Sequence, residues 1–129
     1  MTFHSKVLVV EDDEFTRFMM REIIAGLGVE VDVASDGEEG FEKLSEAPGD
    51  FGLVLMDLHM PRVSGIEAAR SIRTGESDLP KAVPIIAVTA DITYHDNARV
   101  AQLGMDGFAS KPVSPGTLMS LIKQYCAAA

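Results

Sequence analysis

Five short apolar runs, separated by stretches with helical periodicity, leave this chain few ways to fold. The runs are Val7-Leu8-Val9-Val10, the alternating Val29, Val31 and Val33, Leu53-Val54-Leu55-Met56, Ile85-Ile86-Ala87-Val88, and the short Gly107-Phe108-Ala109. The first, third and fourth are continuously apolar, as strands are when helices cover both faces of a parallel sheet. The alternating second and the short fifth suit its edges. Strands alternating with helices at this spacing imply right-handed crossovers. Central strands 1, 3 and 4 with edges 2 and 5 predict the order 2-1-3-4-5. The expected fold class is therefore α/β, a doubly wound five-stranded parallel sheet with five helices.

The intervening stretches carry helical signals. Phe15, Met19, Ile23 and Leu27 lie four apart, with Met20 and Ile24 widening the stripe. Leu118, Leu121, Ile122 and Tyr125 follow the spacing of one helix face, and Gly40, Phe41 and Leu44 supply a smaller one. Asp13 reads as the cap of the first helix, Asp36 with Glu39 as that of the second, and Ser114 before Pro115 as that of the last. Gly28 stands where the first helix should stop. The polar stretch from Thr74 to Pro84 reads as the longest loop, and His95 is expected on the exposed face of helix 4.

A chain of 129 residues, 47% of them hydrophobic, has the size of a single domain spanning 1–129, with its core at about 5–125. Twenty acidic residues against 11 basic ones give a formal net charge of −9. Such a field repels phosphates, so neither direct nucleic-acid binding nor an anionic membrane surface is expected. It favours a cation wherever carboxylates converge. Nothing resembles a signal peptide, and no apolar run approaches the ~20 residues of a membrane span. The chain reads as cytoplasmic. Cys126 is the lone cysteine and reads as a packing thiol.

In an open parallel sheet, ligands bind beyond the carboxyl ends of the strands, near the reversal of strand order. Strand 1 delivers Glu11-Asp12-Asp13 there, strand 3 Asp57, strand 4 Thr89, and strand 5 Ser110-Lys111. Carboxylates, a hydroxyl and an ammonium thus meet at one rim. Crowded carboxylates repel one another unless a cation intervenes, and hard oxygen ligands suit Mg²⁺. With an ordinary pKa of ~3.9, an aspartate needs no general base to become a nucleophile at neutral pH. Metal and Lys111 can neutralise charge as a phosphoryl group arrives, while Thr89 offers it a hydroxyl.

Val9-Val10-Glu11-Asp12-Asp13, Met56-Asp57-Leu58-His59-Met60-Pro61, Val88-Thr89-Ala90 and Ser110-Lys111-Pro112 resemble, in order and spacing, the four signature segments of bacterial two-component response-regulator receiver domains. The likeness covers essentially the whole chain. It implies a flavodoxin-like fold and a phosphoprotein rather than an enzyme with turnover. Asp57 would be the phosphoacceptor, and Mg²⁺ would be held by Glu11, Asp12, Asp57 and the backbone carbonyl of His59. Thr89 and Lys111 would contact the phosphoryl group, and Lys111-Pro112 would be a cis peptide. Thr89 and Phe108 would form the switch, with Phe108 favouring a buried position because it lacks the hydroxyl of the more usual tyrosine. His59 and Asp91 would flank the pocket mouth and tune phosphoryl lifetime. A sensor histidine kinase or histidine phosphotransfer domain would be the phosphorelay donor. The helix 4–strand 5–helix 5 surface would carry the output, with a homodimer through it a further expectation. Hydrolysis of the acyl phosphate would reset the switch. The segment from Gly104 to Pro112 most resembles receivers attached to hybrid sensor kinases; no effector domain is present, which fits a single-domain regulator or a receiver cut from a longer protein.

Three rivals fit less well. A haloacid dehalogenase-type phosphatase would carry Asp two residues after its nucleophile, where this chain has His59. A flavin carrier would place amides and hydroxyls where Glu11, Asp12, Asp13 and Glu14 would repel phosphate. A phosphorylation-independent receiver-like interaction module, the nearest alternative, would be expected to lack Asp57, Lys111 or an acid at 11 or 12.

Overall fold

The computed structural model of the chain describes residues 5–47, 49–60, 64–74 and 83–126. Five parallel strands, β1 (Lys6–Val10), β2 (Val31–Ala34), β3 (Phe51–Asp57), β4 (Ile85–Thr89) and β5 (Gly107–Ser110), form one sheet in the order β2-β1-β3-β4-β5. Helices α1 (Glu14–Gly26), α2 (Gly37–Glu46), α3 (Gly65–Thr74), α4 (Asn97–Gln102) and α5 (Pro115–Cys126) alternate with them, and a short 3₁₀ turn at Ile92–Tyr94 precedes α4. The continuously apolar runs are the three central strands, as their composition predicted.

Successive strand residues leave opposite faces of the sheet, so each central strand feeds two cores. Leu8, Val10, Val54, Met56, Ile85 and Ala87 pack with Leu44 of α2, Ala68 and Ile72 of α3, and Val100 of α4. Val7, Val9, Leu53, Leu55, Ile86 and Val88 pack with Met20 and Ile24 of α1 and Leu118 and Ile122 of α5. Full burial of each Val, Leu, Ile or Met side chain among them contributes about 1.5–3 kcal/mol. Cys126 closes the second core; burial pushes its thiol up to about 11, which keeps it a packing group.

The helix ends follow the capping chemistry. Asp13 accepts from the Thr16 amide at 2.8 Å, and Asp36 from the Glu39 amide at 2.8 Å. The Glu39 carboxylate accepts from the Ser35 hydroxyl. Ser114 accepts from the Thr117 amide at 3.1 Å ahead of Pro115, the first residue of α5. Gly28, at φ +83°, turns the chain out of α1 in a conformation that side chains resist.

The structure corrects three local expectations. On α1, Met20 and Ile24 are buried, whereas Phe15 is 71% and Met19 42% exposed, so the four-apart stripe is not the core face. The first turns of α1 start at the carboxyl rim, where the strands beneath them have ended. Val29 is buried but precedes β2, which begins at Val31. His95 lies before α4 rather than on its exposed face, because Asp96 is the helix cap; it is half-buried against Phe108. Residues 75–82 of the expected long loop lie outside the described residues.

Candidate functional site

Four strand tips build one hollow. Glu11 and Asp12 follow β1, Asp57 ends β3, Thr89 ends β4, and Lys111 follows β5. Carboxylate oxygens of Glu11, Asp12 and Asp57 all lie within 4.8 Å of one another. Glu11 and Asp57 are buried and Asp12 is exposed, so the hollow opens on one side. The Lys111 ammonium lies 2.6 Å from Glu11 Oε1 and 3.2 Å from Asp57 Oδ1. Lys111-Pro112 is a cis peptide, as the resemblance implied.

Three carboxylates facing one ammonium leave two negative charges uncompensated when all are ionised. Burial, then the neighbouring Glu11 and Asp12 carboxylates, push Asp57 up to about 7 despite the opposing pull of Lys111. Burial works against the Lys111 ammonium, but Glu11 and Asp57 outweigh it and hold its pKa above the ordinary lysine range. Among the described residues, Glu11 Oε1 is enclosed without a well-formed hydrogen bond, and the Lys111 ammonium is its charged neighbour. An under-satisfied buried oxygen beside two further carboxylates is a donor set that fits a hard dication. Glu11, Asp12 and Asp57 would hold such an ion, which would neutralise their mutual repulsion.

The backbone around the hollow is fixed by residues the motifs did not reveal. Arg17, one turn into α1, donates from Nη1 to the carbonyls of Glu11 at 3.0 Å and Asp12 at 3.3 Å, holding the acidic turn. Its only sequence signal is a basic residue four after the Asp13 cap. Gly65 opens α3 against the tip of β3, its amide donating to the Leu58 carbonyl at 3.1 Å. A Cβ there would overlap the Asp57 carbonyl oxygen, so only glycine fits.

The rim residues form a second network. The Asp91 amide donates to Thr89 Oγ1 at 3.0 Å, which leaves the Thr89 hydroxyl proton available. His59 Nε2 lies 3.0 Å from Asp91 Oδ2, closing the expected pocket flanks into a pair, and the His59 ring meets Tyr94 edge-on. Hydrogen bonds from Thr93, with His59 adding to them, hold Asp91 below the usual carboxylate range. Phe108 is half-buried rather than fully enclosed and stacks on His95. Beside the hollow, Phe15, Met19, Met20 and Ile23 of α1 line a groove of about 440 Å³ that runs to Lys111 and Pro112.

Residues 7–123 match the response regulator receiver domain family. The chain belongs to it. This receiver is 32% identical over 127 residues to the osmosensing histidine protein kinase SLN1 of Saccharomyces cerevisiae, covering 95% of the receiver and 10% of the kinase. It thus spans about a tenth or less of the hybrid kinases it first matches. It is 34% identical to the polar-differentiation response regulator DivK of Brucella anthropi, covering 92% of the receiver and 94% of DivK. The receiver domain of the Pseudomonas aeruginosa sensor histidine kinase PA1611, solved with magnesium coordinated in its active site cleft, is similar at TM-score 0.80 and 27% identity over 94% of this chain and 96% of that one. A co-crystal structure of the Saccharomyces cerevisiae histidine phosphotransfer protein Ypd1 with the receiver domain of Ssk1 matches at TM-score 0.83 and 28% identity, covering 98% and 92% of the two chains. As a receiver, the chain is a two-component signalling domain of the phosphorelay type. Among its described residues no helix is long and apolar enough to cross a membrane.

Proposed function

We propose that this receiver accepts a phosphoryl group on Asp57, with Mg²⁺ held by Glu11, Asp12, Asp57 and the backbone carbonyl of His59. The observation that carries the reading is the buried Asp57 carboxylate at a strand tip, 3.2 Å from the Lys111 ammonium and within 4.8 Å of two further carboxylates. When bound, the metal would neutralise the carboxylates and polarise phosphoryl oxygens. An Asp57 oxygen attacks the phosphorus of a phosphohistidine, the P–N bond breaks, and the leaving imidazole takes a proton from solvent. Lys111 moves its charge toward the incoming oxygens, and the Thr89 hydroxyl donates its free proton to one of them. Water attack on the acyl phosphate then releases inorganic phosphate and restores Asp57. On this reading the chain is a self-dephosphorylating substrate.

The donor is a sensor histidine kinase or a histidine phosphotransfer domain. The kinship with hybrid kinases and the likeness to a receiver crystallised with Ypd1 support this. Phe15 and Phe18, 71% and 54% exposed, and the groove that reaches Lys111 suit a partner that brings its histidine to Asp57 while covering apolar surface. Output runs through the switch pair Thr89 and Phe108 to the α4–β5–α5 surface, where a homodimer would also form. The whole chain acts as one receiver domain with its core at about 5–125, in the cytoplasm, where phosphohistidine donors and Mg²⁺ meet.

Incubation with acetyl phosphate and Mg²⁺, followed by intact-mass measurement, tests the reading. One added phosphoryl group is expected, blocked by prior chelation and absent from Asp57→Asn. Labelling of Asp57→Asn at the wild-type rate would overturn the assignment. An unlabelled wild type would favour the phosphorylation-independent module.

A further inference from the structure

His95 occupies a position that neither the motifs nor the proposed chemistry uses, yet it touches both ends of the switch. Its imidazole Nε2 lies 2.9 Å from the backbone carbonyl of Thr89. A carbonyl can only accept, so Nε2 carries the proton. The same carbonyl accepts the Lys111 amide at 3.2 Å, and Thr89 Oγ1 accepts the Asp91 amide. The end of β4 is therefore pinned from its loop, from β5 and from His95.

The opposite side of this arrangement is apolar. The His95 ring lies parallel to the Phe108 ring, with an interplanar angle of 6° and centroids 5.1 Å apart, an offset stack. Phe108 has no polar atom of its own to tether its ring, so the stack is a positional constraint that the side chain cannot supply for itself. The next residue, Asp96, caps α4 by accepting from the amides of Ala98 and Arg99. A displacement of His95 is thereby carried into the start of α4 as well as into β5.

The geometry points to His95 as the positioning residue that couples Thr89 to Phe108 and α4, so that imidazole and phenyl ring move as one unit when Thr89 responds to a phosphoryl group on Asp57. The inference rests on the phosphoacceptor reading of Asp57. It assigns the coupling to a hydrogen bond and a stack made by one side chain, and the two parts are separable by substitution. His95→Phe keeps a ring for the stack and removes the N–H; His95→Gln keeps an N–H donor and removes the ring; His95→Ala removes both.

The test is a titration of the receiver with beryllofluoride, a phosphoryl mimic, and Mg²⁺, followed by nuclear magnetic resonance of the Thr89 amide, the His95 and Phe108 rings and the Val100 methyls. In the wild type all four should shift with one midpoint. In His95→Ala and His95→Phe the Thr89 shift should persist while those of Phe108 and Val100 are lost; His95→Gln should restore the Val100 shift in part. Undiminished Phe108 and Val100 shifts in His95→Ala would overturn the coupling role alone. So would a wild-type His95 ring that stays still while Thr89 moves. A wild type in which Thr89 itself fails to respond would overturn the phosphoacceptor reading and this inference together.

Discussion

Lys111 sits closer to Glu11 than to Asp57, with Nζ 2.6 Å from the first carboxylate and 3.2 Å from the second. The ammonium thus chiefly neutralises the buried oxygen that has no well-formed hydrogen bond. A dication entering the acidic cluster has to share Glu11 with it. At contact distance, two unit charges in a partly buried site interact by roughly 1–4 kcal/mol, so this competition is large enough to measure.

Removing the competitor should therefore strengthen metal binding. Lys111→Met is expected to raise Mg²⁺ affinity by about tenfold, equivalent to about 1.4 kcal/mol, as read by titration calorimetry. Without metal the same variant should lose stability on the order of 1–3 kcal/mol, because a buried carboxylate oxygen is left unsatisfied. Unchanged or weaker Mg²⁺ binding would show that the lysine orders the site more than it competes for it.

The raised pKa of Asp57 has a defined sign in stability. The folded chain holds that proton up to about pH 7, whereas an unfolded aspartate releases it near its ordinary value of 3.8. Stability from this group is greatest below about pH 4 and is lost as pH rises toward 7. Asp57→Asn escapes the loss, so its stability advantage over wild type in chelator should grow across that window and level off above it, on the order of a few kcal/mol. Saturating Mg²⁺ should shrink the difference. Urea unfolding at several pH values measures both, and a difference that stays flat from pH 4 to 8 would be incompatible with the argument.

His59 and Asp91 span the rim as a hydrogen-bonded pair, with side chains 60% and 35% exposed. Exposed at the rim, the pair adds little to folding, and on the proposed chemistry it would flank an acyl phosphate on Asp57. Asp91→Ala is expected to lower the thermal midpoint modestly, through loss of its cap to the Thr93 amide, and to shorten the phosphoryl half-life several-fold. Decay of radiolabelled receiver in chelator reads this directly; an unaltered half-life would remove the pair from the control of hydrolysis.

Most of the frame was readable because it rests on short-range chemistry. Continuous apolar runs marked the central strands, and the acids, Thr89 and Lys111 each sit at or just past a strand end, where topology alone brings them together. The α1 stripe misled because apolar residues at 15, 18, 19, 20, 23, 24 and 27 wrap too much of the helix for spacing to say which side meets the sheet. His95 and Arg17 were silent for a different reason. Each hydrogen-bonds a backbone carbonyl six residues away or fewer, and such bonds demand no particular partner side chain, while the His95 stack on Phe108 needs a partner thirteen residues on that only the fold brings near.

Gly65 shows how an omission can place a carboxylate. Even one methyl group at this position would have to share space with the main chain of Asp57. The place of Asp57 is thus set from behind, by how near α3 comes to the end of β3, as much as by the charges in front of it. Anyone wishing to retune the reach of that carboxylate without touching an ionisable group would find the lever there, in a helix that lends the hollow none of the charged side chains described.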